Sequence, residues 1–166
     1  LGSCELLLRV SGYPTRVFAA LYPSARGVYP ENAVIPMTWG PVPYLVRTNA
    51  LGLRGGEIPR AGRQGELRVL AIGDSITDGY FVDNESTWPS LLQDRLSRGL
   101  GRAATVVNGA SGGGSIDKEL ALLRRFAGEI RPDLVILTFV TNDIAEILGK
   151  RLVEMDDFER AKDKII

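Results

Sequence analysis

The stretch Leu67-Arg68-Val69-Leu70-Ala71-Ile72-Gly73-Asp74-Ser75-Ile76-Thr77-Asp78-Gly79 decides the fold. Its first six residues are a short, nearly continuous apolar run, the pattern of a strand covered on both faces. Gly73 ends the run and a small polar loop follows. Further on, Trp88 to Leu100 carries apolar residues at 88, 91, 92 and 96, a helical spacing. Pro89 suits its first turn, and Ser86 or Thr87 is the expected cap. Ala104 to Val107 reads as a second strand that ends at Asn108-Gly109. Ile116 to Ile130 reads as a second helix, with apolar residues at 116, 120, 123, 126, 127 and 130. Asp117 near its start and Arg131 near its end complement the helix dipole, and Pro132 stops it. Leu134 to Val140 is a third apolar strand, and a third helix is expected over much of Ile144 to the C-terminus. Strands alternating with helices predict an α/β fold built on a parallel sheet with crossover helices.

On the N-terminal side the texture changes. Seven of the nine prolines, Pro14, Pro23, Pro30, Pro36, Pro41, Pro43 and Pro59, fall before Glu66. Proline at this density breaks helices and central strands. Residues 1–65 are therefore expected to form an irregular arm with short extended pieces such as Tyr44 to Thr48. Leu6 to Val10 reads as the tail of a helix, and Arg60 to Gly65 as a polar linker. Residues 66–166 form the domain proper. There is no internal repeat and no low-complexity tract.

The composition excludes several classes of function. Of the 166 residues, 20 are Lys or Arg and 20 are Asp or Glu, so the net charge is zero. This gives no electrostatic footprint for nucleic acid. Cys4 is the one cysteine, so no intrachain disulfide can form. No apolar run reaches the roughly 18 residues of a spanning helix. The start Leu1-Gly2-Ser3-Cys4 loosely resembles the end of a bacterial lipoprotein signal, which would give membrane contact through a lipidated cysteine. The favoured reading is an ordinary cysteine in a chain that begins at Leu1 by processing or trimming.

In sheets of this kind ligands bind beyond the carboxyl ends of the strands. Three loops follow the three strands: Gly73 to Gly79, Asn108 to Ser115, and Thr141-Asn142-Asp143. All are small or polar, and the topology brings them to one rim. Gly112 to Gly114 could cradle a phosphate at a helix start. The chain has no phosphate-loop lysine and no Gly-x-Gly-x-x-Gly opening, so a nucleotide site is disfavoured. Asp74, Asp78 and Asp143 read as hydrogen-bonding scaffold rather than as ligands of a metal. Trp39 and Trp88 read as packing residues.

The same loops carry a resemblance. Gly73-Asp74-Ser75-Ile76-Thr77 directly after the first strand resembles the first signature block of the GDSL/SGNH hydrolases. Asn108 with Gly113 after the second strand resembles the second block, and Asn142-Asp143 after the third strand resembles the third. Thr48 to Gly55 and Thr87-Trp88-Pro89 are similar to flanking stretches of one large bacterial branch of that family. Three blocks in order on successive strand ends make a specific match over about residues 44–147.

The resemblance implies a three-layer, flavodoxin-like fold, incomplete at its C-terminus. It implies hydrolysis of a carboxylic ester with Ser75 as the nucleophile. The oxyanion hole would comprise the Ser75 N–H, the Gly113 N–H and the Asn142 side-chain amide. Three donors aimed at one oxygen suit the charge that a tetrahedral intermediate develops there. Gly112 and Gly114 flank Gly113, so the register of the backbone donor is open by one residue. Asp74, Asn108 and Asp143 would support the site. No cofactor and no metal are implied. The partner would be a small-molecule or glycan ester, and the branch is often exported or membrane-anchored in bacteria. Oligomeric state is left open.

Two departures from the family pattern stand out. The third block is usually Gly-x-Asn-Asp, whereas Val140 stands at the glycine position here. The last block, Asp-x-x-His, has no counterpart, because the chain contains no histidine. Serine is a poor nucleophile until a base takes its proton. The expectation is that this block lies in a C-terminal part beyond Ile166, and that these 166 residues alone turn over ester near background. The alternatives are a binding module that keeps the pocket without the base, and acyl transfer to a sugar through the same groups.

Overall fold

The computed structural model of the chain describes residues 28–39, 42–59, 65–113, 116–140 and 143. The elements, in chain order, are β1 (Val34–Trp39), β2 (Val42–Arg47), β3 (Leu67–Ile72), α1 (Ser75–Asp78), α2 (Trp88–Leu100), β4 (Ala104–Asn108), α3 (Ile116–Ile130) and β5 (Leu134–Leu137), with a 3-10 turn over Asn84–Ser86 before α2. The expected elements at Leu6 to Val10 and beyond Ile144, and most of the linker from Arg60 to Gly65, lie outside the described residues.

Three strands form a parallel sheet in the order β4-β3-β5. The central strand is the one that opened the sequence reading. Its side chains alternate between two cores, as a strand with period two must when both faces are covered. On one face Leu70 and Ile72 join Val107 and the α3 residues Leu122, Phe126 and Ile130. On the other, Val69 and Ala71 join Val106, with Trp88, Leu92 and Leu96 of α2 packed against them. Helix, sheet and helix thus make three layers, and the fold is α/β. The chain moves from β3 through α2 to β4 on one side, then back through α3 to β5 on the other. The point where its direction reverses, between β3 and β5, is where such sheets open a crevice.

Three expectations are corrected in detail. The third strand ends at Leu137 rather than Val140, because its partner ends: Ile72 pairs with Leu137, and β3 then turns away into α1. Thr138 adds one last bond, from its N–H to the Ile72 carbonyl. In α3 the buried stripe is Glu119, Leu122, Phe126 and Ile130, while Leu120 is exposed. Leu120 faces an apolar cleft of about 170 Å³ shared with Val135 and Leu137. At α2, Thr87 occupies the cap position but bonds no helix N–H. Its hydroxyl donates back to the Asn84 carbonyl instead.

The arm is more regular than its prolines suggest. β1 and β2 form an antiparallel hairpin in which Pro36 faces Leu45 and Thr38 faces Pro43. A two-stranded ribbon has two free edges, so a proline can sit where no ladder bond is required. Its buried side holds Met37, Tyr44 and Val46 with Tyr29.

The end of α3 departs most from expectation. The Arg131 N–H donates to the Ala127 carbonyl at 2.9 Å, but its side chain does not meet the Ile130 carbonyl. Arg68 of β3 does so, donating from Nη1 to the Ile130 carbonyl at 3.0 Å and from Nη2 to the Pro59 carbonyl. A buried cation at a helix C-terminus complements the dipole better than an exposed one. Arg131 itself is exposed and left-handed, with φ of 50°. A side chain in that region costs about 1–2 kcal/mol that glycine avoids. Arg131→Gly should therefore stabilise the chain by about 0.5–1 kcal/mol, read as a higher urea midpoint at unchanged slope.

Candidate active site

The three strand ends are tied together by backbone hydrogen bonds. Gly109 N–H donates to the Ala71 carbonyl at 2.8 Å, Ser111 N–H to the Gly73 carbonyl at 3.2 Å, and Thr138 N–H to the Ile72 carbonyl at 2.9 Å. The loops after β3 and β4 and the end of β5 therefore meet on one rim, as the topology requires.

Ser75 is the first residue of α1, one turn long, and is half-buried. Asp74 caps that turn: its carboxylate accepts the Ile76 N–H at 3.0 Å, which satisfies one of the orphan donors of a helix start. The turn ends at Gly79, which is left-handed at φ 88° and donates to the Ser75 carbonyl at 3.0 Å. A Cβ there would lie 2.5 Å from Thr87 Cγ2, so both conformation and space demand glycine. Among the described residues, no hydrogen bond engages the Ser75 N–H.

Asn108, at the end of β4, is 5% exposed. Its amide donates to the carbonyls of Thr77 at 2.9 Å and Asp78 at 3.3 Å, and its own side-chain oxygen accepts the Ala110 N–H. It is thus a brace between the Ser75 turn and the glycine loop. Gly112 N–H is engaged by the Asp78 carboxylate at 3.2 Å. The next amide, that of Gly113, has no partner among the described residues. Of the three glycines that the sequence left open as backbone donor, Gly112 has its N–H committed and Gly113 does not, and Gly114 lies outside the described residues. Asn142 also lies outside them. Asp143 is buried, and its Oδ2 accepts the Val140 N–H at 2.7 Å. Its Oδ1 is buried without a partner among the described residues.

Four further residues shape the rim. Arg54 is 3% exposed. Its Nη1 donates to the carbonyls of Asp78 at 2.9 Å and Gly79 at 2.7 Å, its Nη2 to that of Val82, and its Nε to Asn84 Oδ1 at 3.0 Å. Its backbone bridges to Asn108. Asp78, fully buried, accepts the Tyr29 hydroxyl at 2.8 Å as well as the Gly112 N–H. Tyr80 covers the glycine loop so closely that a Cβ on Gly112 would fall 1.7 Å from its hydroxyl oxygen. The sequence signalled Arg54 only as part of a recurring flank. It read Asp78 only as scaffold and carried no signal at all for Tyr29.

The geometry can be compared with known proteins. A model of the GDSL-like Lipase/Acylhydrolase family matches residues 71–163, more than half of the chain. An arylesterase of Vibrio mimicus is 37% identical over 83 residues, which are 50% of this chain and 41% of that protein. Two solved structures of AlinE4, an SGNH-hydrolase family esterase, one of them a point mutant, share 26% identity at a TM-score of 0.44. They cover 52% of this chain and 45% of theirs. The chain spans less than half the length of these relatives. By the extent of the family match over its sheet and rim, it belongs to the GDSL-like lipase/acylhydrolase family.

Proposed function

We propose that the protein in its full length hydrolyses carboxylic esters through an acyl-enzyme on Ser75. The observation that carries this reading is the position of Ser75. It leads the turn beyond the central strand, half-buried, and its N–H has no partner among the described residues. The Ser75 oxygen attacks the ester carbonyl carbon as its proton passes to a base. The tetrahedral intermediate places its negative charge on the former carbonyl oxygen, where the N–H groups of Ser75 and Gly113 and the Asn142 amide would stabilise it. Collapse expels the alcohol, which takes up a proton. Water then attacks the acyl-enzyme by the same route, releasing the acid and restoring Ser75. The base is the histidine that the family pattern implies, and these 166 residues contain none. The substrate class is a small ester, and the arylesterase relative makes p-nitrophenyl acetate a reasonable probe.

In the full-length protein, a fluorophosphonate should label Ser75, and Ser75→Ala should lower p-nitrophenyl acetate turnover by at least about a thousandfold. A folded full-length protein that resists labelling, or keeps its turnover without Ser75, would defeat the reading. Gly112→Ala should lower kcat/KM roughly tenfold to a hundredfold, because the loop must move off Tyr80 and displacements of about 1 Å at a site can cost that much. Unchanged kinetics in this variant would show that the loop does not set the reacting geometry.

A further inference from the structure

One buried carboxylate joins three segments that are far apart in sequence. Asp78 Oδ2 accepts the Tyr29 hydroxyl from 49 residues upstream and the Gly112 N–H from 34 residues downstream. It sits in the turn that carries Ser75, three residues on. A carboxyl group without solvent contact needs hydrogen-bond partners, and each donor it holds is held firmly. Gly112 is thus held by Asp78 and lies close against Tyr80, which follows the Ser75 turn and donates its N–H to the Ser75 carbonyl at 3.2 Å. With the Gly112 N–H committed, the following amide is the one left open, and Gly113 has a positive φ of 66°. The direction of the Gly113 N–H therefore follows from where Asp78 holds Gly112.

On this basis, and resting on the ester-hydrolase reading above, we propose that Asp78 is a positioning residue for the oxyanion loop and that Tyr29 of the N-terminal arm completes its setting. The hydroxyl of Tyr29 holds the carboxylate at the point from which it can reach Gly112. Tyr29 is itself placed by the arm: its N–H donates to the Gly52 carbonyl at 3.0 Å, two residues before Arg54. The arm thereby contributes to turnover without touching the reacting atoms. Loss of the Tyr29 hydroxyl leaves Asp78 Oδ2 with the Gly112 N–H but without its phenolic donor. The carboxylate is then held less firmly against Gly112, and the loop loosens.

The test uses the full-length protein and the variants Tyr29→Phe and Asp78→Asn, with two readouts. In the first, p-nitrophenyl acetate kinetics, kcat should fall about tenfold or more in both variants while KM stays within about twofold. A positioning defect raises the barrier and leaves ground-state binding alone. In the second, amide hydrogen exchange, Gly112 should exchange about tenfold faster in both variants, with the amides of β3 still protected. A merely structural loss would lower protection across β3 as well and leave kcat of the folded fraction unchanged. Unchanged Gly112 exchange in both variants overturns the proposal, and so does faster exchange with kcat unchanged. If Ser75→Ala retains turnover, the ester-hydrolase reading fails instead, and the exchange measurement alone still decides whether Asp78 and Tyr29 hold the loop. If Asp78→Asn does not fold, Tyr29→Phe, which removes a single oxygen, decides by itself.

Discussion

A guanidinium buried to 3% exposure is the interaction around which the rim is built. A full charge in such a place is tolerated only when its donors are satisfied, and Arg54 satisfies them mainly with main-chain oxygens. The carbonyls of Asp78, Gly79 and Val82 converge on it. The first two lie at the end of the α1 turn, where a one-turn helix leaves them without partners of its own, and the third follows shortly after it. Arg54 therefore does for α1 what α1 is too short to do for itself. Because its backbone also bridges to Asn108, the same residue links the loops after β3 and β4. A shorter or neutral side chain at position 54 would withdraw the guanidinium donors from the carbonyls of Asp78, Gly79 and Val82.

The sheet and its helices were legible because their signals are local. β3, α2 and α3 were expected within the bounds that the structure gives them, since apolar runs and helical spacing are properties of adjacent residues. What was not legible depended on partners distant in sequence. The hairpin of β1 and β2 was hidden by Pro36 and Pro43, whose cost disappears only because the ribbon has free edges. The buried stripe of α3 was misplaced at Leu120 because a charged residue, Glu119, takes the buried position beside it. In the site, Ser75, Asp74 and Asn108 stood out as residue types in a pattern. Arg54 and Tyr29 did not, because an arginine among glycines and a lone tyrosine carry no chemistry until the contacts across 24 to 49 residues are known.

The two edges of the parallel sheet are finished differently. Along β4, Gln93 Oε1 accepts the Val106 N–H at 3.0 Å, Ser97 Oγ accepts the Ala104 N–H at 3.2 Å, and the Arg54 backbone takes Asn108. Side chains of α2 thus occupy the positions that a neighbouring strand would use, which closes that edge to further pairing. Along β5 no side chain caps the ladder among the described residues, and Leu134, Val135 and Leu137 are all exposed. Among the described residues, side chains close the first edge and none closes the second. The glycine loop, which follows the closed edge, is held by Asn108 and Asp78, whereas Asp143, which follows the other, has a buried carboxylate oxygen without a partner among the described residues.

Two kinds of force therefore divide the work within this domain. The two cores around β3 rest on apolar burial, which is non-directional and tolerates small shifts. The rim rests on hydrogen bonds between backbone groups and the side chains of Arg54 and Asn108, which donate, and of Asp74 and Asp78, which accept, and these fix angle as well as distance. An oxyanion site needs the second kind, because its donors must point at an atom that is charged only during the reaction. On the proposed function, that need accounts for the polar groups buried beyond the end of β3. They cost the fold more than apolar residues of the same size would, and what they provide is a glycine loop whose Gly112 amide is bonded to a buried carboxylate. On the proposed reading the arm supports the site as the strands do, since Tyr29 bonds that carboxylate and Arg54 bonds the carbonyls of the same turn.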